Sequence, residues 1–313
     1  MVKNALMMKI ILMFSLFVIS VNYSDAQTRR DSFLYYLENI REVNQPFTLY
    51  FKDFSADSYW MYDLLVPYIE KNKTKNAVDY FVVAWSLAYK SQKKDLNKKV
   101  LNLLIGGSSS NEINTREHCV LNLKRFEKEL FGEEEIKKIK NLLHKPSQDQ
   151  LFNLILLCGY LDLKSQKKYL KQHYIGSYQP VNYKSYYESN EWAAYLALAR
   201  MGDRNSITYV IQHYRAEKDL FDKCKIISRH LDYVKRKESL EQLIEIFTGD
   251  LEVPPEYPEI KGTPCGQNFI YFLAKSIKNY PYSIKRVYYP EDIEKARAWF
   301  ATRPKIIIDR DIF

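Results

Sequence analysis

The sequence predicts an all-α protein made of stacked antiparallel helical hairpins that form a curved α-α superhelix. Apolar side chains recur at the helical spacing i, i+3, i+4, i+7 along most of the chain. Glycine and proline are few, 9 and 11 among 313 residues, and they cluster between the periodic stretches. Similar segments also recur at shifts of 33 to 40 residues. Periods of this length are typical of solenoids built from pairs of helices.

Residues 1–26 are typical of a secretory signal peptide. Lys3 and Lys9 give a basic start, an apolar run follows at 10–21, and Ala26 ends a small-residue cleavage motif. The run holds about 12 residues, whereas a membrane-spanning helix needs ~20. We therefore predict export to the periplasm or the extracellular space, with no membrane span after signal removal. An uncleaved N-terminal anchor is the alternative.

The mature chain is predicted to have two parts. Residues 27–56 are expected to form an irregular N-terminal cap, in which Phe47–Phe51 is compatible with a short extended segment. Residues 57–313 are expected to form the helical repeat domain, with about six hairpins. A last helix should begin at Pro290, with acidic residues in its first turn, and should stop before Pro304.

Seven helical stripes support the repeat domain and its cap. They are Phe33/Tyr36/Leu37/Ile40, Met61/Leu64/Leu65/Tyr68, Val78/Phe81/Val82/Trp85, Leu151/Leu154/Ile155/Cys158, Trp192/Tyr195/Leu196/Ala199, Ile207/Val210/Ile211/Tyr214 and Leu240/Leu243/Ile244/Phe247. Short connections between them predict antiparallel hairpins. The clearest repeat is Tyr169–Tyr174 (YLKQHY), which returns as Tyr209–Tyr214 (YVIQHY) after 40 residues. Because one hairpin cannot bury its stripe alone, each should pack on its neighbours.

Residues 193–203 (AAYLALARMGD) and the aliphatic stripe that starts at Ile207 resemble a HEAT repeat of the armadillo-type α-solenoid family. In such repeats an alanine- and leucine-rich helix ends at a Gly-Asp turn, and a second helix carries the stripe. Residues 157–162 are a looser copy, and 229–232 keep only the aspartate. The resemblance is best over 148–248. It implies stacked hairpins with a binding surface, and it brings no catalytic residues.

The charge balance is basic, with 47 lysines and arginines against 38 aspartates and glutamates and a net charge of +9. Nucleic-acid binding is one explanation of such a charge. The basic residues are interspersed with glutamates on predicted helix exteriors, as in 133–140 and 235–245. This pattern favours a solvated basic surface and predicts no nucleic-acid partner.

The four cysteines are Cys119, Cys158, Cys224 and Cys265, and no two of them have the spacing of a metal or redox motif. An exported protein is compatible with disulfides. Equivalent positions of neighbouring repeats, however, lie about 10 Å apart, too far for a bridge. We therefore predict buried thiols.

Catalytic and metal-binding motifs are absent from the sequence. The five histidines show no HExxH or HxxxH pattern, and there is no GxSxG. Gly106–Ser110 lacks the lysine of a phosphate-binding loop. His173 and His213 recur because they occupy equivalent repeat positions. The sequence therefore predicts a protein that is not an enzyme and that has no metal and no cofactor.

Tyrosine is abundant, with 26 residues, and many tyrosines lie in long connections between helices. The connections 175–188 and 249–265 should emerge on one edge of the stack, and 279–289 on the other. Six side chains on the first edge are predicted to contact a partner: Tyr178, Tyr183, Tyr186, Tyr187, Trp192 and Tyr257. The alternative is that these rings simply fold back over helix ends.

The sequence thus predicts an exported, non-catalytic binding or scaffold protein that recognises a protein or a peptide. A glycan-binding or glycan-processing protein with an aromatic-lined helical groove is the alternative, and a structural component of an envelope assembly is a third possibility. A glycan-cleaving enzyme would need a deep acidic cleft with two carboxyl groups about 5–10 Å apart.

Overall fold

The computed structural model describes residues 27–43, 45–51, 53–72, 77–144, 151–178, 185–249, 251–253, 263–268, 270–285 and 287–313. Over these ranges most residues are helical, strand pairing is limited to one short two-stranded sheet and an isolated bridge, and many neighbouring helices pack on one another. The prediction of an all-α protein is confirmed. The predicted signal peptide lies outside the described residues.

The described residues contain fifteen α-helices. In chain order they are α1 (27–38), α2 (Phe47–Tyr50), α3 (Ser58–Lys71), α4 (Ala77–Ser91), α5 (Lys94–Gly107), α6 (Ile113–Leu123), α7 (Glu133–Leu143), α8 (Leu151–Tyr160), α9 (Lys167–Tyr174), α10 (Asn190–Arg200), α11 (Arg204–Ala216), α12 (Ser228–Val234), α13 (Lys237–Thr248), α14 (Ile270–Lys275) and α15 (Pro290–Ala301). A π-helical segment, Asp222–Ile227, runs directly into α12. Strands β1 (Glu252–Val253) and β2 (Thr263–Pro264) pair antiparallel.

The chain divides into two compact units, Met1–Asn122 (unit 1) and Leu123–Phe313 (unit 2). In unit 1, α4 packs against α2, α3 and α5. Its N-terminal part is held by aromatic rings, since Phe33 makes edge-to-face contacts with Phe47 and Phe51 at centroid distances of 6.1 and 5.7 Å.

The expectation of an extended segment at Phe47–Phe51 is wrong, because this segment contains the helical turn α2. Phe47 and Phe51 must both reach Phe33. In a helix, residues i and i+4 lie one above the other, whereas in a strand they would be about 13 Å apart.

In unit 2, α10 packs on α8, α9, α11 and α12, and α12 packs on α13. The turns that follow α8, α10 and α12 each contain a residue with positive φ: Asp162 (54°), Gly202 (83°) and Lys235 (50°). Asp203 then caps α11, since its carboxylate accepts the N–H of Ser206 at 3.1 Å. The structure therefore contains the predicted Gly-Asp turn.

Two glycines allow close approaches in this region. A Cβ at Gly159 of α8 would lie 2.7 Å from the Cα of Ala197, so glycine lets α8 and α10 pack backbone to backbone. Gly202 has a positive φ, which glycine adopts readily. An added Cβ there would also lie 2.8 Å from Nη2 of Arg236.

Helix α15 begins at Pro290 and ends at Ala301, before Pro304, as predicted. Beyond it, residues 303–313 form an extended tail that the sequence did not predict. The N–H of Lys278 donates to the carbonyl of Ile307, and the N–H of Asp309 donates to that of Ser276, each at 2.8 Å. The tail is thereby paired with the segment that follows α14.

Arg200, the last residue of α10, is 1% exposed and holds the end of this tail. Its guanidinium donates to the carbonyl of Tyr233 at 2.6 Å and to those of Arg310 and Ile312 at 3.1 and 2.5 Å. It also lies over the rings of Tyr160 and Tyr233, 5.3 and 4.8 Å from their centroids. We call this set of contacts the Arg200 junction.

The carbonyl group of Arg200 completes the junction. It accepts hydrogen bonds from Arg236 at 2.6 and 3.1 Å and from Arg310 at 3.1 Å. The ring of Phe313 lies 5.4 Å from that of Tyr160 and 5.2 Å from that of Tyr233. Helices α8, α10 and α12 and the tail therefore meet at one buried cation.

The prediction of four buried thiols is wrong for one pair, because Cys224 and Cys265 form a disulfide with a Cα–Cα distance of 5.3 Å. The repeat-spacing argument fails because Cys265 lies outside the repeats, in a 3₁₀ helix after β2. Cys119 and Cys158 are buried free thiols as predicted, and burial raises the pKa of Cys158 to about 12.

Replacing both bridged cysteines, as Cys224→Ser/Cys265→Ser, should lower the free energy of unfolding by about 3–4 kcal/mol. The bridge joins residues 41 positions apart, so it removes much of the loop entropy of the unfolded chain. Urea denaturation measures the difference. Thiol labelling of the denatured, unreduced wild-type protein should modify only Cys119 and Cys158. Labelling of all four cysteines would contradict the assignment.

Candidate functional site

Four of the six predicted contact residues come together in unit 2. Tyr178 lies 4.9 Å from Tyr186 between ring centroids, Tyr186 lies 5.7 Å from Trp192, and Tyr187 lies 5.2 Å from Trp192. The other two, Tyr183 and Tyr257, lie outside the described residues, so their place relative to this group stays a prediction.

Local hydrogen bonds fix the backbone around these rings. Ser189 caps α10, since its hydroxyl accepts the N–H of Trp192 at 3.0 Å. Ser185 accepts the N–H of Tyr187 in the same way at 3.3 Å, at the start of a 3₁₀ turn. Glu191 accepts the N–H of Tyr178 at 2.8 Å and so ties the loop to the first turn of α10.

The four rings differ in exposure. Trp192 is fully buried and Tyr187 is 7% exposed, whereas Tyr178 and Tyr186 are half-buried. The indole N–H of Trp192 donates to Nδ1 of His230 at 2.8 Å. Burial, and secondarily the charge of Arg229, lowers the pKa of His230 to about 4. Trp192 and Tyr187 are thus buried rings that pack against the more exposed ones, and Tyr178 and Tyr186 are accessible to a partner.

A three-ring stack extends this group onto α11, and the sequence did not predict it. The ring of Tyr209 lies between Tyr195 and His213, with centroid distances of 3.7 and 4.1 Å. The hydroxyls of Tyr186 and Tyr209 are hydrogen-bonded at 2.8 Å. Burial and this hydrogen bond raise the pKa of Tyr186, which therefore stays a neutral hydroxyl.

A second three-ring stack lies on α9, earlier in the chain. Tyr169 of α9 lies between His144 and His173, with both centroid distances at 4.0 Å. Tyr169 and His173 match Tyr209 and His213 after a shift of 40 residues. The two stacks therefore arise from the same Tyr-x-x-x-His pair, in which residues i and i+4 share one helix face.

His173 and His213, the histidines of the two Tyr-x-x-x-His pairs, have the same tautomer when neutral. Nδ1 of His173 lies 3.0 Å from the carbonyl oxygen of Tyr169, and Nδ1 of His213 lies 3.2 Å from that of Tyr209. A carbonyl only accepts, so Nδ1 must carry the hydrogen and donate it. Nε2 of each neutral ring is then left as an acceptor. His173 is exposed and His213 is partly exposed.

We define the aromatic surface as the accessible rings of these stacks and of the adjoining loop. Its members are Tyr178, Tyr186, Tyr195, Tyr209, His213, His144, Tyr169 and His173. The repeated Tyr-x-x-x-His pair was visible in the sequence, where it indicated only equivalent repeat positions. Its stacking role was missed because the first ring of each stack comes from another helix or helix end.

The two glutamates closest to the aromatic group are engaged structurally. Glu217 accepts the hydroxyl of Tyr187 and the N–H groups of Lys218 and Asp219, at 2.7 and 2.8 Å for the latter two. The Tyr187 hydrogen bond is the main reason why the pKa of Glu217 is lowered. Glu191 holds the Tyr178 loop. Both carboxylates therefore stabilise the loops that carry the rings.

Unit 1 has a separate cleft of about 490 Å³ beside α4. Tyr36, Phe47 and Trp85 contribute apolar surface, and an ion pair of Arg41 and Asp79 at 3.5 Å lies in its lining. The sequence did not predict this cleft.

In the described part of the chain, no group of three or more histidine, cysteine or acidic side chains is arranged to hold a metal ion. The same residues contain no helix with the length and apolar character needed to cross a bilayer. Comparison of the chain with protein-family models, with curated proteins and with solved structures found no match.

The His230 contact makes the stability of unit 2 dependent on pH. Its pKa is about 4 in the folded protein and about 6.5 in an unfolded chain, so below pH 6.5 the unfolded state binds the extra proton. Stability contributed by neutral His230 is therefore present above pH 6.5 and lost as the pH falls towards 4. Because His230 is partly exposed, we expect a loss of about 1 kcal/mol between pH 7 and pH 5.

The variant His230→Asn tests this dependence. Its side-chain oxygen is placed to accept the Trp192 N–H but does not titrate. Urea denaturation at pH 7 and pH 5 should show a smaller loss in the variant than in the wild-type protein. Identical losses would contradict the assignment.

Proposed function

We propose that this chain is an exported, non-catalytic protein that recognises a protein or peptide partner through the aromatic surface of unit 2. The observation that supports this proposal is the pair of three-ring stacks centred on Tyr169 and Tyr209. Each stack holds accessible aromatic edges beside tyrosine hydroxyls and histidine Nε2 acceptors. Rigid rings of this kind give a large contact area at a low entropic cost on binding.

The surface is rigid because its support is buried. Trp192 is anchored to His230, and Tyr186 is tied to Tyr209 before any partner arrives. Holding the rings in place beforehand reduces the entropy lost on association.

The stacking geometry favours a polypeptide over a glycan. A sugar packs its C–H groups against an open aromatic face, because that face carries the negative end of the ring quadrupole. Both faces of Tyr169 and of Tyr209 are covered by neighbouring rings. The outer rings of the stacks also supply edges, hydroxyls and ring nitrogens, and these groups match the hydrogen bonds and aromatic contacts of a protein interface.

The proposal includes the HEAT-like stacking of the hairpins in unit 2 and the export of the chain. The three turns with a residue of positive φ, at Asp162, Gly202 and Lys235, support a repeated hairpin geometry. The disulfide of Cys224 and Cys265 supports an oxidising compartment such as the periplasm or the extracellular space.

Site-specific photo-crosslinking tests the proposed surface. A benzophenone amino acid replaces His173 in one protein and His213 in another, and Tyr35 of unit 1, which is 57% exposed, in a control. Each protein is mixed with the envelope fraction of the producing cell and irradiated. We expect the same protein to crosslink at both stack positions and not at the control position.

A second experiment removes one ring of the surface. Tyr209→Ser in the His173 crosslinker should abolish or strongly reduce the yield if the surface acts as one interface. Retention of polysaccharide with no crosslinked protein would contradict the proposal and favour the glycan alternative.

A further inference from the structure

A groove of about 600 Å³ lies between α13, the end of α15 and the tail. Its floor is apolar and its rim is charged. The floor residues are Leu240, Ile244, Phe300, Ile306 and Ile308, and the rim residues are Lys237, Glu241, Arg303 and Lys305. These residues belong to elements other than those that carry the aromatic surface, so the groove is a separate feature of unit 2.

One side of the groove is an open strand edge. Ile308 forms an antiparallel bridge with Ile277, flanked by the hydrogen bonds of Lys278 to Ile307 and of Asp309 to Ser276. In this pattern the odd-numbered tail residues face their partner strand. The N–H and C=O groups of Ile306 and Ile308 therefore point to the other side.

On that other side, the backbone groups further along the tail have hydrogen-bond partners, whereas those at the groove have none in the described part of the chain. The carbonyl of Arg310 accepts hydrogen bonds from Lys128 at 2.7 Å and from Arg200 at 3.1 Å. The carbonyl of Ile312 accepts one from Arg200 at 2.5 Å. Within the described ranges, the peptide groups of Ile306 and Ile308 have no hydrogen-bond partner. An exposed row of peptide donors and acceptors is a template for another strand.

The rim selects the charge of an incoming segment. Lys237, Arg303 and Lys305 are cationic, and Glu241 is the single acid among the lining residues, in an exposed pair with Lys237 at 3.6 Å. Acidic side chains would therefore be attracted to the rim, and an apolar side chain would be buried on the floor. Alternation of the two kinds is the pattern that an extended strand presents.

We propose that the groove binds an extended peptide of alternating acidic and apolar residues, which adds as a strand to the free edge at Ile306 and Ile308. Main-chain hydrogen bonds supply affinity, and the apolar floor and basic rim supply specificity, as in other cases of strand addition. The site stands independently of the aromatic surface, because failure of one leaves the contacts of the other intact.

Fluorescence anisotropy with the full mature chain tests the proposal. The probe is a fluorescent, end-capped heptapeptide of alternating glutamate and valine. Two further peptides serve as controls: alternating lysine and valine, and the first peptide with its valines N-methylated. We expect binding of the first peptide, at least tenfold weaker binding of each control, and weaker binding at high salt.

Charge reversal locates the site. Lys237→Glu/Lys305→Glu should weaken binding of the glutamate–valine peptide at least tenfold, whereas Lys138→Glu, on an exposed position of α7, should leave it unchanged. Unchanged thermal unfolding of all three proteins would show that these exposed substitutions do not disturb the fold.

Several results would overturn the proposal. Equal binding of the N-methylated peptide would exclude strand addition, and equal binding of the lysine–valine peptide would exclude the role of the rim. Binding of laurate in the groove without binding of the glutamate–valine peptide would make the groove a lipid site instead. Failure of that peptide to bind at all would refute the inference while leaving the crosslinking experiment unaffected.

Discussion

The organisation of unit 2 depends on the burial of one cation, the guanidinium of Arg200. A buried charge is tolerated only when its donors are satisfied, and here three backbone carbonyls and two aromatic rings meet that requirement. Two of the carbonyls belong to the tail and one lies near the end of α12. The need to satisfy Arg200 therefore fixes where the tail runs and where α12 ends.

Helix α10 connects this junction with the aromatic surface. Its C-terminal end carries Arg200, and its N-terminal end carries Trp192, whose indole N–H is tied to His230. Close packing of α10 on α8 at Gly159 leaves little room for the helix to shift. The contacts of Arg200 at one end of α10 and of Trp192 at the other therefore both depend on this packing.

Much of the helical framework was predictable from local physics. The stripes, the turn at Gly202 and the helix from Pro290 follow from periodicity, left-handed backbone geometry and capping, all of which act within a few residues. The disulfide of Cys224 and Cys265 and the tail pairing were not, because they join segments whose approach is set by tertiary packing. The ring stacks were predictable only in part. The Tyr-x-x-x-His pair lies within one helix, but the first ring of each stack comes from another helix or helix end.

Hydrogen exchange on Arg200→Met, beside the matched variant Arg204→Met at an exposed position of α11, tests the role of the junction most directly. Removing the guanidinium leaves the carbonyls of Tyr233 and Ile312 without this donor, at a cost of about 1–3 kcal/mol each, whereas the carbonyl of Arg310 keeps its hydrogen bond from Lys128. We expect Arg200→Met to lose protection at the N–H groups of Lys278 and Asp309, which join the tail to the segment after α14, while Arg204→Met keeps it. Full protection of both amides in Arg200→Met would contradict the account.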